Sequence, residues 1–132
     1  MVIFDSSIYV DDLRSGRFSE RVAGIGDLIL NSSVVLAELW RGATTAAEER
    51  FLVWLADHYP VLTPTENNWI ESGRILRRVQ KDYGFEAAKL RDLHFDVLIA
   101  LTARAHGARL ITSNRADFEL IRGYRNFKLE VW

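Results

Sequence analysis

Residues 91–119, RDLHFDVLIALTARAHGARLITSNRADFE, decide how the rest of the chain is read. Within them Asp96 opens the run Val97-Leu98-Ile99-Ala100-Leu101-Thr102-Ala103, which reads as a helix apolar on almost every side. Gly107 is placed to end that helix in left-handed backbone. Residues 109–112 then read as a short buried strand, and residues 113–117 turn toward a further helix. A carboxylate beside the most apolar helix of a chain is costly to bury without a partner. The plain alternative puts Asp96 in the first turn, where it complements the helix dipole, with Asp92 as the N-cap.

Outward from this stretch the chain alternates strands and helices. Val2-Ile3-Phe4 is a strand so close to the start that it belongs in the middle of a parallel sheet, buried on both faces. It ends at Asp5, and Ser6 or Ser7 can cap a helix over residues 8–13, with Asp11 and Asp12 on its solvated face. Residues 14–27 read as a helix flanked by loops. Residues 28–31 form the second strand. Ser32 or Ser33 caps a helix over 34–41 that carries Glu38 and ends at Gly42. The next helix, 46–58, is capped by Thr44 or Thr45. Its apolar arc of Phe51, Leu52, Trp54, Leu55 and Tyr59 is broad enough for more than one neighbour, or for a partner chain. Residues 61–63 are a third strand, followed by a long helix to Tyr83 that stops at Gly84. Residues 127–131 alternate as an edge strand. Alternation of this kind predicts an α/β fold built on a parallel sheet, with helices on both faces.

The composition narrows the function classes. The chain has 132 residues, a net charge of −1 and a pI near 6.3, so no global basic field draws it to nucleic acid. A nucleic-acid ligand then needs a local basic patch. Arg74, Arg77, Arg78 and Lys81, followed by Lys89 and Arg91, offer one, although a solvated helix face is the better explanation, since charge on exposed helix faces is ordinary. The absence of cysteine excludes disulfides and thiolate zinc sites, and suits a reducing cytoplasm. His58, His94 and His106 lack the spacing of a helical zinc pair. The start of the chain has no basic region of a signal peptide, and no apolar run is long enough for a membrane span. Trp40, Trp54, Trp69 and Trp132 read as core residues, with Trp40 or Trp54 as the alternatives for a partner groove.

In a parallel sheet each strand runs up and each helix returns down. Asp5 ends the first strand, Glu38 lies early in the helix after the second, Asp96 begins the helix before the fourth, and Asp117 follows the fourth. All these carboxylates are therefore expected at the carboxyl edge, where open α/β sheets hold their ligands. Residues 84–91 would have to carry the chain back up after the long helix. Carboxylates gathered in one place repel and bind protons unless a cation joins them. Mg²⁺ or Mn²⁺ prefers oxygen ligands, binds through one or two carboxylates plus substrate phosphate, and suits phosphodiester hydrolysis.

The segments VIFDSS at 2–7, SSVVLAEL at 32–39, FDVLIALTA at 95–103 and LITSNRADF at 110–118 resemble, in order and spacing, PIN-domain ribonucleases, and among them VapC-type toxins of toxin–antitoxin pairs. The resemblance implies a single PIN-like domain over residues 1–132, a three-layer α/β/α arrangement with a mostly parallel sheet of about five strands. It implies a metal-dependent endoribonuclease acting as the toxin of a type II pair. By position, Asp5 and Asp96 would be direct ligands of Mg²⁺ or Mn²⁺, and Glu38 and Asp117 would complete the catalytic acids. Many members carry an acid where Asn114 stands, so the fourth acidic position is open between Asn114 and Asp117. Asn114 and Ser7 could orient water or phosphate; their plain readings are a turn asparagine and an N-cap serine. The implied partners are RNA, a cognate antitoxin and a second copy of the chain, as a homodimer or a toxin–antitoxin hetero-oligomer, in the cytoplasm and away from membranes.

Two other readings compete. An aspartyl-phosphate phosphatase also begins with a strand ending in Asp, but Ser7 stands where its second Asp belongs, and Lys89 is only a loose match for its lysine. A non-catalytic PIN-like module that binds RNA or protein would not need the full carboxylate set.

Overall fold

Val2, Ile3 and Phe4 are each at most 1% exposed, and they form β1 (Val2–Phe4) in the middle of a five-stranded sheet. The computed structural model describes residues 1–132. Besides β1, the sheet holds β2 (Ile29–Ser32), β3 (Val61–Leu62), β4 (Arg109–Thr112) and β5 (Lys128–Val131). Their order is β3-β2-β1-β4-β5, and every pairing is parallel. No helix is long and apolar enough to cross a membrane.

The helices are α1 (Ser6–Ser15), α2 (Ser19–Ala23), α3 (Ser33–Gly42), α4 (Ala46–His58), α5 (Glu66–Tyr83), α6 (Ala87–Ala105) and α7 (Arg115–Arg122). The strand order steps one way from β1 to β3, then returns to the other side of β1 for β4 and β5. Right-handed crossovers therefore place α1–α4 against one face and α5–α7 against the other, giving three layers. The reversal makes the gap between the carboxyl ends of β1 and β4 the place where such a sheet opens a crevice. In register, Phe4 pairs with Ile111, so Asp5 and Thr112 are neighbours at that opening.

Capping residues fix most helix starts. The Ser32 side chain accepts from the Val35 N–H, Thr45 from Glu48, and Thr65 forms a reciprocal capping box with Asn68. Gly84 and Gly107 both take φ of 65°, the left-handed backbone that ends α5 and the turn after α6. The seven-residue run Val97–Ala103 is buried throughout, as an all-round apolar helix requires.

Three expectations are corrected. Asp96 does not begin a helix: α6 starts at Ala87 and runs unbroken to Ala105, so Asp96 is mid-helix and Asp92 is not an N-cap. The dipole reading falls with it, because that effect is confined to the terminal turn. Nor do residues 84–91 carry the chain back up. α6 ends at the amino edge, where the Ala108 N–H donates to the Ala103 carbonyl just before β4. α5 packs antiparallel to it, with Ser72 Oγ and His94 Nε2 2.9 Å apart, so α5 itself rises and Gly84-Phe85-Glu86 only reverses the direction. Finally, Trp40, Trp54 and Trp69 are 42%, 44% and 50% exposed, and are not core residues. Trp54 stacks on His58 at 4.2 Å between ring centroids, while Leu52 and Leu55 of the same helix carry the burial.

Candidate metal and phosphate site

Asp5 occupies the N-cap position of α1 but makes no capping bond with its side chain. The carboxylate turns instead into the crevice and is 3% exposed. Its Oδ2 accepts from Ser7 Oγ at 2.8 Å and from Thr112 Oγ1 at 2.9 Å. Its Oδ1 is buried with no partner at all. Ser7 is thus not a cap. Its hydroxyl orients Asp5 and also accepts from the Ser113 N–H at 3.1 Å, tying β1 to the loop after β4. Burial raises the Asp5 pKa, and the hydroxyls of Ser7 and Thr112 with nearby backbone N–H groups offset this only in part.

Glu38 projects from α3 toward the same crevice, and its Oε1 is likewise buried without a partner. Burial, and then the charge of Asp5, push its pKa up to about 7, against the opposing pull of Arg41 and the Ser6 hydroxyl. Asp96 is shifted furthest, to about 9, first by burial and then by the charges of Asp5, Glu38 and Asp117. Lys89 opposes that shift. The sheet edge and α3, α6 and α7 thus bring Asp5, Glu38 and Asp117 within electrostatic reach of Asp96.

Asp117 differs from the other three. It lies in the first turn of α7, and both of its oxygens are engaged: Oδ1 accepts from Lys89 Nζ at 2.7 Å and Oδ2 from Asn114 Nδ2 at 3.1 Å. Asn114 is the N-cap of α7, with Oδ1 accepting from the Asp117 N–H. Its own N–H donates to Thr112 Oγ1 at 2.9 Å. Asn114 therefore holds Asp117 and the loop as an N-cap, the turn role open to it in the sequence. Asp11, expected on a solvated face, accepts from Ser113 Oγ at 3.3 Å at the rim.

This arrangement fits a hard divalent cation. Two carboxylate oxygens buried without donors, with neighbouring acids forced to hold protons, form a site short of positive charge. No three acidic or histidine side chains close tightly enough to cage an ion by themselves. Mg²⁺ and Mn²⁺ need only one or two carboxylates and retain waters. Beside the crevice, Glu38 also lines a half-apolar cavity of about 300 Å³ with Val10, Leu13, Arg14 and Leu52.

Sequence reasoning gave Thr112 no role in the site, saw Ser6 only as a candidate cap, and gave Lys89 only a loose place. Thr112 sits one residue past Ile111, and only the β1–β4 pairing puts it against Asp5. That adjacency is a fact of strand order, for which no local pattern codes. Thr112→Val keeps the shape and removes the donor to Asp5 Oδ2 and the acceptor for Asn114. It should cost about 2 kcal/mol in metal-free urea unfolding, because Asp5 Oδ2 keeps only the Ser7 donor and the Asn114 N–H loses its acceptor. Unchanged stability would show that the hydroxyl does not support Asp5.

Residues 2–124 match the family model described as PIN domain. Solved structures similar to this chain include a VapBC2 from Rickettsia felis bound to a promoter DNA fragment, at 24% identity and a TM-score of 0.72, covering 100% of this chain and 99% of that one. A VapBC-1 from nontypeable Haemophilus influenzae matches at 23% identity and a TM-score of 0.72, covering 100% and 98%. A VapBC-5 toxin–antitoxin system from Mycobacterium tuberculosis matches at 23% and 0.66, covering 98% and 97%. At these identities the likeness is one of fold. A sequence comparison with curated proteins gives no match.

Proposed function

We propose that this chain, which belongs to the PIN-domain family, is a metal-dependent endoribonuclease and the toxin of a toxin–antitoxin pair. The observation that carries the reading is the pair of buried, donorless oxygens, Asp5 Oδ1 and Glu38 Oε1, next to an Asp96 whose pKa is driven to about 9. Asp5 and Asp96 would hold Mg²⁺ or Mn²⁺, with Glu38 alongside. When bound, the ion supplies Lewis-acid polarisation of a phosphate and acidifies water.

The chain's own residues do the remainder. The Ser7 and Thr112 hydroxyls fix the Asp5 carboxylate so that Oδ1 faces the crevice. Glu38, with a pKa of about 7, sits where a group can take a proton from water near neutral pH. Asn114 and Lys89 hold Asp117 at the opposite side. The exposed arginines of α5 provide a local basic surface for RNA despite the net charge of −1.

An antitoxin is the partner that the surfaces favour. The cavity beside Glu38, which Arg14 also lines, combines apolar walls from Val10, Leu13 and Leu52 with the acids Glu38 and Glu48. A partner segment with apolar side chains and one basic residue matches both, the base replacing the metal's charge. Exposed Trp40 and Trp54 offer further area to a partner or a second copy.

The test is incubation of purified protein with labelled RNA and millimolar Mn²⁺, with and without EDTA. Cleavage that EDTA stops is expected. RNA retention without cleavage would favour a binding module, and turnover of a phosphomonoester with intact RNA would favour a phosphatase.

A further inference from the structure

The site's carboxylates divide into a bare half and a filled half. Asp5 Oδ1 and Glu38 Oε1 have no donor, whereas both oxygens of Asp117 are taken by Lys89 Nζ and Asn114 Nδ2. Lys89 and Asp96 are seven residues apart on α6, which puts them on the same helix face, two turns apart. The Lys89 side chain is 40% exposed, so its ammonium lies at the mouth of the crevice and not in its floor. An ammonium has three donors, and Asp117 uses one. The ring of Phe85 lies 6.0 Å from Nζ, and no second hydrogen bond to the ammonium forms. Donors are therefore left over beside the acids, on a side chain that solvent reaches.

We propose that the Lys89 ammonium is the second cation of this site: it neutralises Asp117 and contacts the scissile phosphate, so that the site takes one divalent ion. This rests on the ribonuclease reading above. In the reaction a bond forms between the water oxygen and phosphorus, and the bond from phosphorus to the leaving ribose oxygen breaks. The water gives up one proton, and the leaving oxygen takes one. Lys89 loses none; it hydrogen-bonds a non-bridging oxygen on which negative charge builds, the role of a preorganised donor. A lysine suits this place because its compact point charge pairs with one carboxylate oxygen and keeps free donors.

The experiment compares wild type, Lys89→Met and Lys89→Arg as the full chain. Bound Mn²⁺ is counted by paramagnetic resonance of the free ion, and kcat and KM are measured on an RNA oligonucleotide. Wild type should bind one Mn²⁺ per chain. Lys89→Met should lose about a hundredfold in kcat, the usual cost of one such donor, with KM changed by less than about threefold. It should also gain a second, weaker Mn²⁺, since Asp117 has lost its counter-charge. Lys89→Arg should keep the single ion and recover most of the rate. If Lys89→Met does not fold, Lys89→Gln is read in its place. Two equally tight ions in wild type, or a Lys89→Met that keeps one ion and full kcat, would overturn the assignment. A wild type that binds Mn²⁺ but cuts no RNA would sink the ribonuclease reading, and the ion counts of wild type and variant would still decide whether Lys89 takes the place of a metal.

Discussion

Asp96→Asn should reduce Mn²⁺-dependent RNA cleavage by about a thousandfold or more, while making the metal-free protein more stable. The two effects have one origin. The Asp96 carboxyl is buried among other acids and its pKa stands at about 9 against an ordinary 3.8. At pH 7 the folded protein must keep a proton there that the unfolded chain releases. The difference, at 1.36 kcal/mol per pH unit above the unfolded value, costs up to about 4 kcal/mol of stability. Asparagine keeps the shape and never ionises, so the variant escapes this cost. The same change removes a charge from the metal, and several kcal/mol of transition-state stabilisation go with it, at tenfold in rate per 1.36 kcal/mol. Denaturant unfolding without metal, alongside cleavage with Mn²⁺, reads both effects. A structural aspartate would lose stability on substitution and leave cleavage unchanged.

The second large effect is a reversal of pH dependence by metal. Glu38 and Asp96 have folded pKa values of about 7 and about 9, above the ordinary 4.5 and 3.8. The folded state therefore binds more protons than the unfolded state between pH 4 and 9, and stability must fall as pH rises through that window. The loss ends near pH 7 for Glu38 and near pH 9 for Asp96. A divalent ion competes with these protons, so its affinity should rise over the same range and its binding should release protons. At a hundredfold excess over its Kd the ion adds about 2.7 kcal/mol, roughly a 10 °C rise in Tm for a domain of this size. Metal-free Tm should decline from pH 5 to pH 9, and saturating Mn²⁺ should flatten or invert the trend, whereas NaCl of equal ionic strength should not. A metal-free Tm that climbs toward pH 9 would contradict the crowding of these acids.

The sequence reading reached the architecture because parallel strands announce themselves locally. Val2-Ile3-Phe4 and Leu110-Ile111 are continuous apolar runs, and the serines, threonines and glycines between elements fix their ends. Asp5 and Glu38 were legible through their place after a strand, which is a matter of chain direction alone. Asp96 was placed at the correct edge for the wrong reason. Its helix begins at Ala87, ahead of the apolar run, because the polar stretch AAKLRDLH also has good helical propensity and packs on α5. Equally hidden was the upward course of α5, since helix direction depends on what it packs against. The place of Thr112 and the pairing of Lys89 with Asp117 came only with the fold: the first through the pairing of β4 with β1, the second through the packing of α6 against α7. The exposed tryptophans mark the limit of composition as a guide, because a large apolar side chain says nothing about which surface it serves.

The claim at the centre is that the bare oxygens of Asp5 and Glu38 are half of a cation site. It is tested most directly by calorimetric titration of Mn²⁺ into the metal-free wild type and into Asp5→Asn, both at pH 8. The wild type should bind one ion per chain with release of protons, and Asp5→Asn should bind it at least tenfold more weakly. Absence of binding by the wild type up to 10 mM Mn²⁺, about tenfold above the Kd of the weakest extracellular-type calcium sites, or an identical isotherm for Asp5→Asn, would contradict it.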